Sequence, residues 1–332
     1  MRRRGILALS MGLPMGILGK GAPALSASTG GDAWGPTRPI RVIYPYPPGG
    51  GGDIVSRLVA ENMRDDLGQP LLIENRPGAA GLIGAELVAR APKDGHTVLI
   101  TAAALSIAPS VYKRISFDPV QDLTAVALLT RLPMLVLVRA ESPLQSFAEL
   151  IAQARREGDR VTYGTFGIGS PPHLTGERIQ QETGVTMTHV PYPGGSVALP
   201  ALLAGDLTAA ILDGMSMLPH VQSGRLRALA VTATQRTPQL PEVPTLRECG
   251  VAHDLGTWHG AFVPAGTPDA VVQRLNAAFI RALSLPTVRE RIVTGGAVPV
   301  EPPLSPAGWH AAFVKEVEDW RAVAQRAGVV VE

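Results

Sequence analysis

A chain of 332 residues with 45% hydrophobic and 17% charged content is long enough for two lobes with a substantial core, and this composition excludes a disordered chain. The 30 prolines and 36 glycines mark many turns, as an alternating α/β chain requires. A formal charge of +2 gives no ground for a nucleic-acid partner, and a single cysteine, Cys249, excludes an internal disulfide.

The N-terminus reads as an export signal over residues 1–28. Basic Met1–Arg4 precedes apolar Gly5–Leu18, and the small residues Ala22–Ser28 offer cleavage near Ala24, Ser26 or Ala27. The apolar run is too short for a membrane anchor and is broken by Pro14. Arg3-Arg4-Gly5-Ile6-Leu7 also loosely resembles a twin-arginine signal. Cleavage removes Arg2, Arg3, Arg4 and Lys20 and moves the formal charge from +2 to −2, so the apparent basicity belongs to the signal. A soluble periplasmic protein is expected.

From residue 40 the chain alternates short apolar runs with amphipathic stretches. Ile40–Tyr44, Leu71–Ile73 and Thr97–Thr101 read as strands. Ile54–Leu67, ended by Gly68, and Gly84–Ala91 read as helices. This βαβαβ order predicts a largely parallel sheet covered on both faces.

Between the first strand and helix stands Pro45–Asp53, PYPPGGGGD. The first turn of a helix carries unpaired N–H groups and partial positive charge, and glycines let an anion approach that backbone closely. Asp53 as a simple helix cap is the bland alternative, which four consecutive glycines do not require. A nucleotide loop needs Lys-Ser/Thr where Asp53-Ile54 stands, and a dinucleotide fingerprint needs a further glycine. Asp53 at the mouth also disfavours polyphosphate, so a carboxylate fits best. A β-branched residue at Gly50 is expected to abolish binding.

A second block repeats the plan. Val161–Gly164 reads as a strand, Thr165–Pro172 as a glycine turn and His173–Glu182 as a helix closed by Gly184. Then come strand Thr186–Pro191, a turn at Tyr192–Ser196, a helix through Leu203, strand Ala209–Asp213, a helix around Met217–Ser223 and strand Arg227–Thr232. Ala125–Val138 reads as one long extended crossing between the blocks, with a return crossing over Gly256–Val263. Two amphipathic helices follow, Pro268–Leu283 capped by Thr267 and Pro306–Ala327 capped by Ser305. Their stripes, Val272, Leu275 and Phe279, then Trp309, Phe313, Val317 and Trp320, read as core. Two α/β lobes joined by two crossings make a hinged clamshell, with both glycine turns at strand carboxyl ends facing the cleft.

The blocks Pro39–Asp53, Leu67–Pro70, Glu74–Gly78, Asp94-Gly95, Tyr163-Gly164, Gly169–Pro171, His173-Leu174, Val190–Tyr192, Gly194-Gly195, Leu229–Thr232 and Pro264–Pro268 together resemble the Bug/TctC family, the extracytoplasmic solute receptors of tripartite tricarboxylate transporters. The resemblance runs over essentially the whole mature chain. It implies a type II periplasmic-binding-protein fold, with lobe I at 36–133 and 258–332 and lobe II at 134–257. It further implies that the two glycine turns pinch one ligand carboxylate, which places Tyr46, Pro48, Gly49, Gly50, Asp53, Thr165, Phe166 and Ser170 at the site. Ser106, Tyr192 and Asp213 join them as pocket candidates, Asp213 as an acceptor for a ligand amine or hydroxyl or as a helix cap.

This chain departs from the family pattern where Gly-Gly-Gly-Thr/Ser-Asp becomes Gly51-Gly52-Asp53, losing a hydroxyl, and where Phe166, Ile168 and Ala102–Ser106 add apolar bulk. A ligand with one carboxylate or an apolar, even aromatic, body is expected. The partners implied are a small organic acid and either the membrane permease subunits of a tripartite transporter or a sensor kinase; a monomer is expected, without cofactor. Trp258 reads as hinge packing. The histidines lack metal-ligand spacing, and Ser170 lacks the Gly-x-Ser-x-Gly context of a hydrolase. Binding without catalysis follows.

Overall fold

The computed structural model describes residues 34–252 and 257–327. The export signal expected at 1–28, His253, Gly256 and the tail from 328 lie outside the described residues.

The first sheet is nucleated by the βαβαβ unit read from the sequence. β1 (Ile40–Tyr44), β2 (Leu71–Asn75) and β3 (Thr97–Ala102) are parallel, with β1 between the other two. They alternate with α1 (Gly51–Leu67) and α2 (Leu82–Ala89), and Gly68 ends α1 in the left-handed region at φ +70°. The remaining strands bring in both directions. β4 (Leu123–Leu132) and β10 (Thr257–Pro264) pair antiparallel with each other, and β10 pairs antiparallel with β3. The short β11 (Val298–Pro299) completes the order β11-β4-β10-β3-β1-β2.

The second sheet has the order β7-β6-β8-β5-β9. Its parallel part is β6 (Thr162–Thr165), β7 (Thr188–Pro191) and β8 (Ala209–Asp213), while β5 (Met134–Arg139) runs antiparallel to β8 and to β9 (Leu226–Val231). Helices α4 (Phe147–Glu157), α5 (Pro171–Thr183), α6 (Gly195–Ala204) and α7 (Gly214–Gln222) belong to this lobe. Both sheets are therefore mixed, not largely parallel. The physical reason lies in the crossings: a strand arriving from the other lobe enters its sheet from the opposite end.

The expected single extended crossing at 125–138 is two strands in two sheets, separated by Pro133. Proline has no N–H for the ladder, and its carbonyl instead accepts the Gly214 N–H at 3.0 Å. The return crossing is β10. His259 sits opposite Ala102, so the first residues of β10 lie beside the carboxyl end of β3.

Each lobe has its own apolar core, the second centred on Val136, Leu137, Tyr163, Leu202 and Leu212. In the first, α8 (Asp269–Ser284) buries Val272, Leu275 and Phe279 as its spacing predicts. The N-cap is Pro268, not Thr267, whose hydroxyl donates to Pro264 O at 2.7 Å. Next comes α9 (Pro286–Thr294). The last helix, α10 (Pro306–Ala327), begins at Ser305, whose Oγ accepts the Gly308 N–H at 3.1 Å. Trp309, Phe313, Val317 and Trp320 on α10 are buried, and Trp309 meets Trp258 edge-on at 4.9 Å between centroids. Trp258 is thus packed at the return crossing.

Candidate functional site

Helix α1 begins inside the glycine run, three residues before the apolar periodicity shows. Gly50 is its N-cap, and no side chain caps it. The first intrahelical bond runs from Ile54 N–H to Gly50 O at 3.1 Å, which leaves the N–H groups of Gly51, Gly52 and Asp53 without intrahelical acceptors. Gly49 takes φ +85°, a conformation that favours glycine.

Asp53 is neither the cap nor a wall of the cleft. Its carboxylate accepts from Gly49 N–H at 3.1 Å, Arg57 Nε at 2.9 Å and Asn75 Nδ2 at 3.0 Å. The carboxylate thus reaches back past the cap to the residue before it, and it fixes the turn. Burial pushes the Asp53 pKa up, but these hydrogen bonds together hold it below the usual carboxylate range.

Lobe II opposes this turn with the N-termini of α6 and α7. Asp213 caps α7: Oδ1 accepts Ser216 N–H at 2.8 Å and Oδ2 accepts Ser216 Oγ–H at 2.6 Å. The same carboxylate accepts the Gly51 N–H across the cleft, and burial pushes its pKa up. A β-carbon on Gly51 would lie 2.3 Å from Asp213 Oδ1, and one on Gly194 would lie 2.9 Å from Pro47 Cδ. The lobes meet here at a separation that only glycine permits. Ser196 Oγ adds a hydrogen bond to Pro48 O at 3.0 Å.

Between these turns lies a cavity of about 30 Å³. Gly50, Gly51 and Gly52 line one side and Gly194, Gly195, Ser196 and Asp213 the other, with Tyr44, Tyr46, Ala102, Phe166 and His259 among the walls. Tyr46 and Phe166 approach edge to face across the cleft at 6.3 Å. Among the described residues, neither lysine nor arginine lines it. Burial holds His259 at about 3, so the ring is neutral, and raises the Tyr44 hydroxyl well above its ordinary value. A broader hollow of about 1020 Å³ around Phe147, Arg227 and Cys249 touches neither glycine turn. The small cavity is where backbone donors, aromatic walls and both lobes converge.

Of the expected site residues, Tyr46, Gly50, Phe166 and Asp213 line this cavity, and Pro48 and Gly49 border it through Ser196. A β-carbon on Gly50 meets no atom within 4 Å, so the intolerance expected there belongs to Gly51 and Gly52. The second glycine turn satisfies itself. Thr165 Oγ1 pairs with His189 Nε2 at 2.7 Å, and Ser170 Oγ donates to Gly167 O at 2.6 Å. Tyr192 is half-buried and off the cavity. Ser106 is buried in α3 (Ala104–Val111), bonded to Ala103 O at 2.7 Å and Glu316 Oε1 at 2.9 Å. The sequence reading missed Tyr44, Gly51, Gly194, Ser196 and His259. Tyr44 was findable as the last residue of a strand ending at the glycine turn.

Residues 55–328 match the family described as tripartite tricarboxylate transporter family receptor. The chain belongs to this family of solute receptors. The receptor shares 32% identity with the periplasmic binding protein BugD, with TM-score 0.86 over 90% of this chain and 100% of that one. MatC from Rhodopseudomonas palustris, solved with bound malate, is 33% identical with TM-score 0.82 over 87% and 99% of the two chains. An R. palustris protein solved with adipate is also 33% identical, with TM-score 0.85 over 89% and 99%. The receptor thus has the two-lobed periplasmic-binding-protein fold, and its family binds solutes and is not a family of enzymes.

Proposed function

We propose that this receptor captures one small organic acid in the periplasm, without catalysis, and presents it to the membrane subunits of a tripartite transporter. The ligand carboxylate meets the first turn of α1, and its apolar body lies between Tyr46 and Phe166. One observation carries this reading: the first turn of α1, where the Gly52 and Asp53 N–H groups have no intrahelical acceptor, borders an aromatic-walled cavity between two lobes, with neither lysine nor arginine among its described lining residues. Such a site favours an acid with an apolar body over a compact tricarboxylate, because each further carboxylate held inside would be buried without a partner.

A cavity of about 30 Å³ is far below the roughly 300–1,000 Å³ of pockets that hold small molecules. An acid therefore enters an opened form, and the lobes close over it by rotation about the crossings at Pro133 and β10. The lobes are taken as 36–133 with 258–332 and as 134–257, acting within a monomer.

Supporting the ligand class, the related MatC and R. palustris structures hold malate and adipate. The test is a melting-temperature screen of the mature protein with benzoate, adipate, malate and citrate. Benzoate or adipate is expected to raise the melting temperature by several degrees, as ligand well above its dissociation constant requires. Stabilisation by citrate alone overturns the apolar-bodied ligand, and stabilisation by none overturns carboxylate capture.

A further inference from the structure

The surroundings of Gly52 show what occupies the space that a side chain there would take. A β-carbon on Gly52 would lie 2.2 Å from Tyr44 Oη and 2.3 Å from His259 Nε2. Both ring atoms thus occupy the space of a residue-52 side chain, against the first turn of α1, and both residues line the cavity. The two rings meet edge-on, 6.4 Å between centroids. His259 is 4% exposed, and its Nδ1 is buried without a hydrogen-bond partner. A buried N–H without an acceptor is rarer and costlier than an unpaired acceptor, so the single proton of the neutral ring belongs on Nε2, the atom that faces Gly52.

We propose that Tyr44 Oη and His259 Nε2, standing where a residue-52 side chain would be, are ligand-binding donors that hold the carboxylate arriving at the first turn of α1. This assignment rests on the carboxylate-capture reading. It accounts for glycine at 52, since any side chain there would displace both rings. It also gives the unpartnered histidine a use: with Nδ1 left as a bare acceptor, the ring's one N–H is directed at the ligand. Because both groups are neutral, they add hydrogen bonds to the carboxylate without adding charge.

The test is calorimetric titration of benzoate and of adipate into the wild type, Tyr44→Phe, His259→Leu, His259→Gln and the Tyr44→Phe/His259→Leu double variant, with a melting curve for each. Each lost donor is expected to weaken binding about tenfold or more, as for a hydrogen bond to a charged group. His259→Gln, which keeps a donor, is expected to retain most of the affinity. Gly52→Ser is expected to weaken binding in the wild type and to restore it in the double variant, where the rings' polar atoms are gone. Should His259→Leu fail to fold, Tyr44→Phe, which removes one oxygen, carries the test. Unchanged affinity in the folded donor-deleted variants overturns the assignment alone, as does equal loss in His259→Gln and His259→Leu. Absence of binding of both acids to the wild type overturns the capture reading and this assignment with it.

Discussion

A β-carbon at Gly51 would stand 2.3 Å from Asp213 Oδ1 and 3.0 Å from Leu132 Cδ2, atoms that belong to opposite lobes. Opening the cleft relieves the first clash and leaves α1 intact, so Gly51→Ala should act on closure more than on folding. We expect it to weaken acid binding by about tenfold or more while changing stability by no more than about 1 kcal/mol, the helix-propensity difference between the two residues. Titration calorimetry and denaturant unfolding separate these effects; equal losses in both would mean that the turn is only structural. The protonation states make a second prediction. With His259 held at about 3 and Tyr44 raised well above its ordinary value, neither titrates near neutrality, so the affinity–pH profile between about pH 6 and 9 should have the same shape in the wild type and in His259→Gln, any step in it belonging to the buried Asp213, whose pKa burial raises. A step near the ordinary histidine pKa that vanishes in His259→Gln would contradict a neutral His259. At this scale the sequence was partly legible. Tyr46, Gly50 and Phe166 could be placed because they lie in or beside glycine turns that are local in the chain. His259 could not, because its place beside Gly52 depends on β10 returning some two hundred residues later to pair with β3.

Among the elements, α10 carries a half-buried carboxylate on which three side chains converge. Glu316 accepts from Trp258 Nε1 at 2.7 and 2.8 Å, Ser106 Oγ at 2.9 Å and Trp320 Nε1 at 3.1 Å. Burial nonetheless raises its pKa. The folded form then keeps its proton in a range where the unfolded chain has lost it, so this group's contribution to stability is full below the ordinary glutamate value and falls as pH rises through the folded one. Glu316→Gln should flatten that part of the stability–pH profile, and should cost about 1–3 kcal/mol near neutrality through the acceptor it removes. Urea unfolding at a series of pH values measures both, and an unaltered slope would refute the assignment. Here the sequence showed the helix and its apolar stripe but not the carboxylate, which looks like any charged residue until Trp258 and Ser106 converge on it. The same limit hid α3, whose alanine-rich start at Ala102–Ser106 reads as a loop and whose interior holds Pro109. It also hid the true start of α1, because glycines are poor helix formers and the periodic signal begins only at Ile54.

Across the whole molecule, the lobes are joined by more than two strands. Ile107 and Val111 on α3, Leu174 on α5, and Trp320 and Ala324 on α10 form one buried cluster, and Leu174 brings the second lobe into it. Trp320→Ala should cost about 3–5 kcal/mol by opening a cavity there. It should also loosen the closed arrangement, which small-angle scattering would show as a larger radius of gyration without ligand. The two-lobe plan was legible because the strand, glycine turn and helix pattern occurs twice. The mixed sheets were not, since strand direction is set by which lobe a crossing strand comes from. The central claim is that these lobes close on a single acid. Native mass spectrometry of the receptor recovered from the periplasm tests this most directly. The account predicts a population carrying the mass of one small carboxylic acid per chain, diminished in Gly51→Ala. A chain that stays at its bare mass, even after incubation with benzoate, adipate and malate, would contradict it.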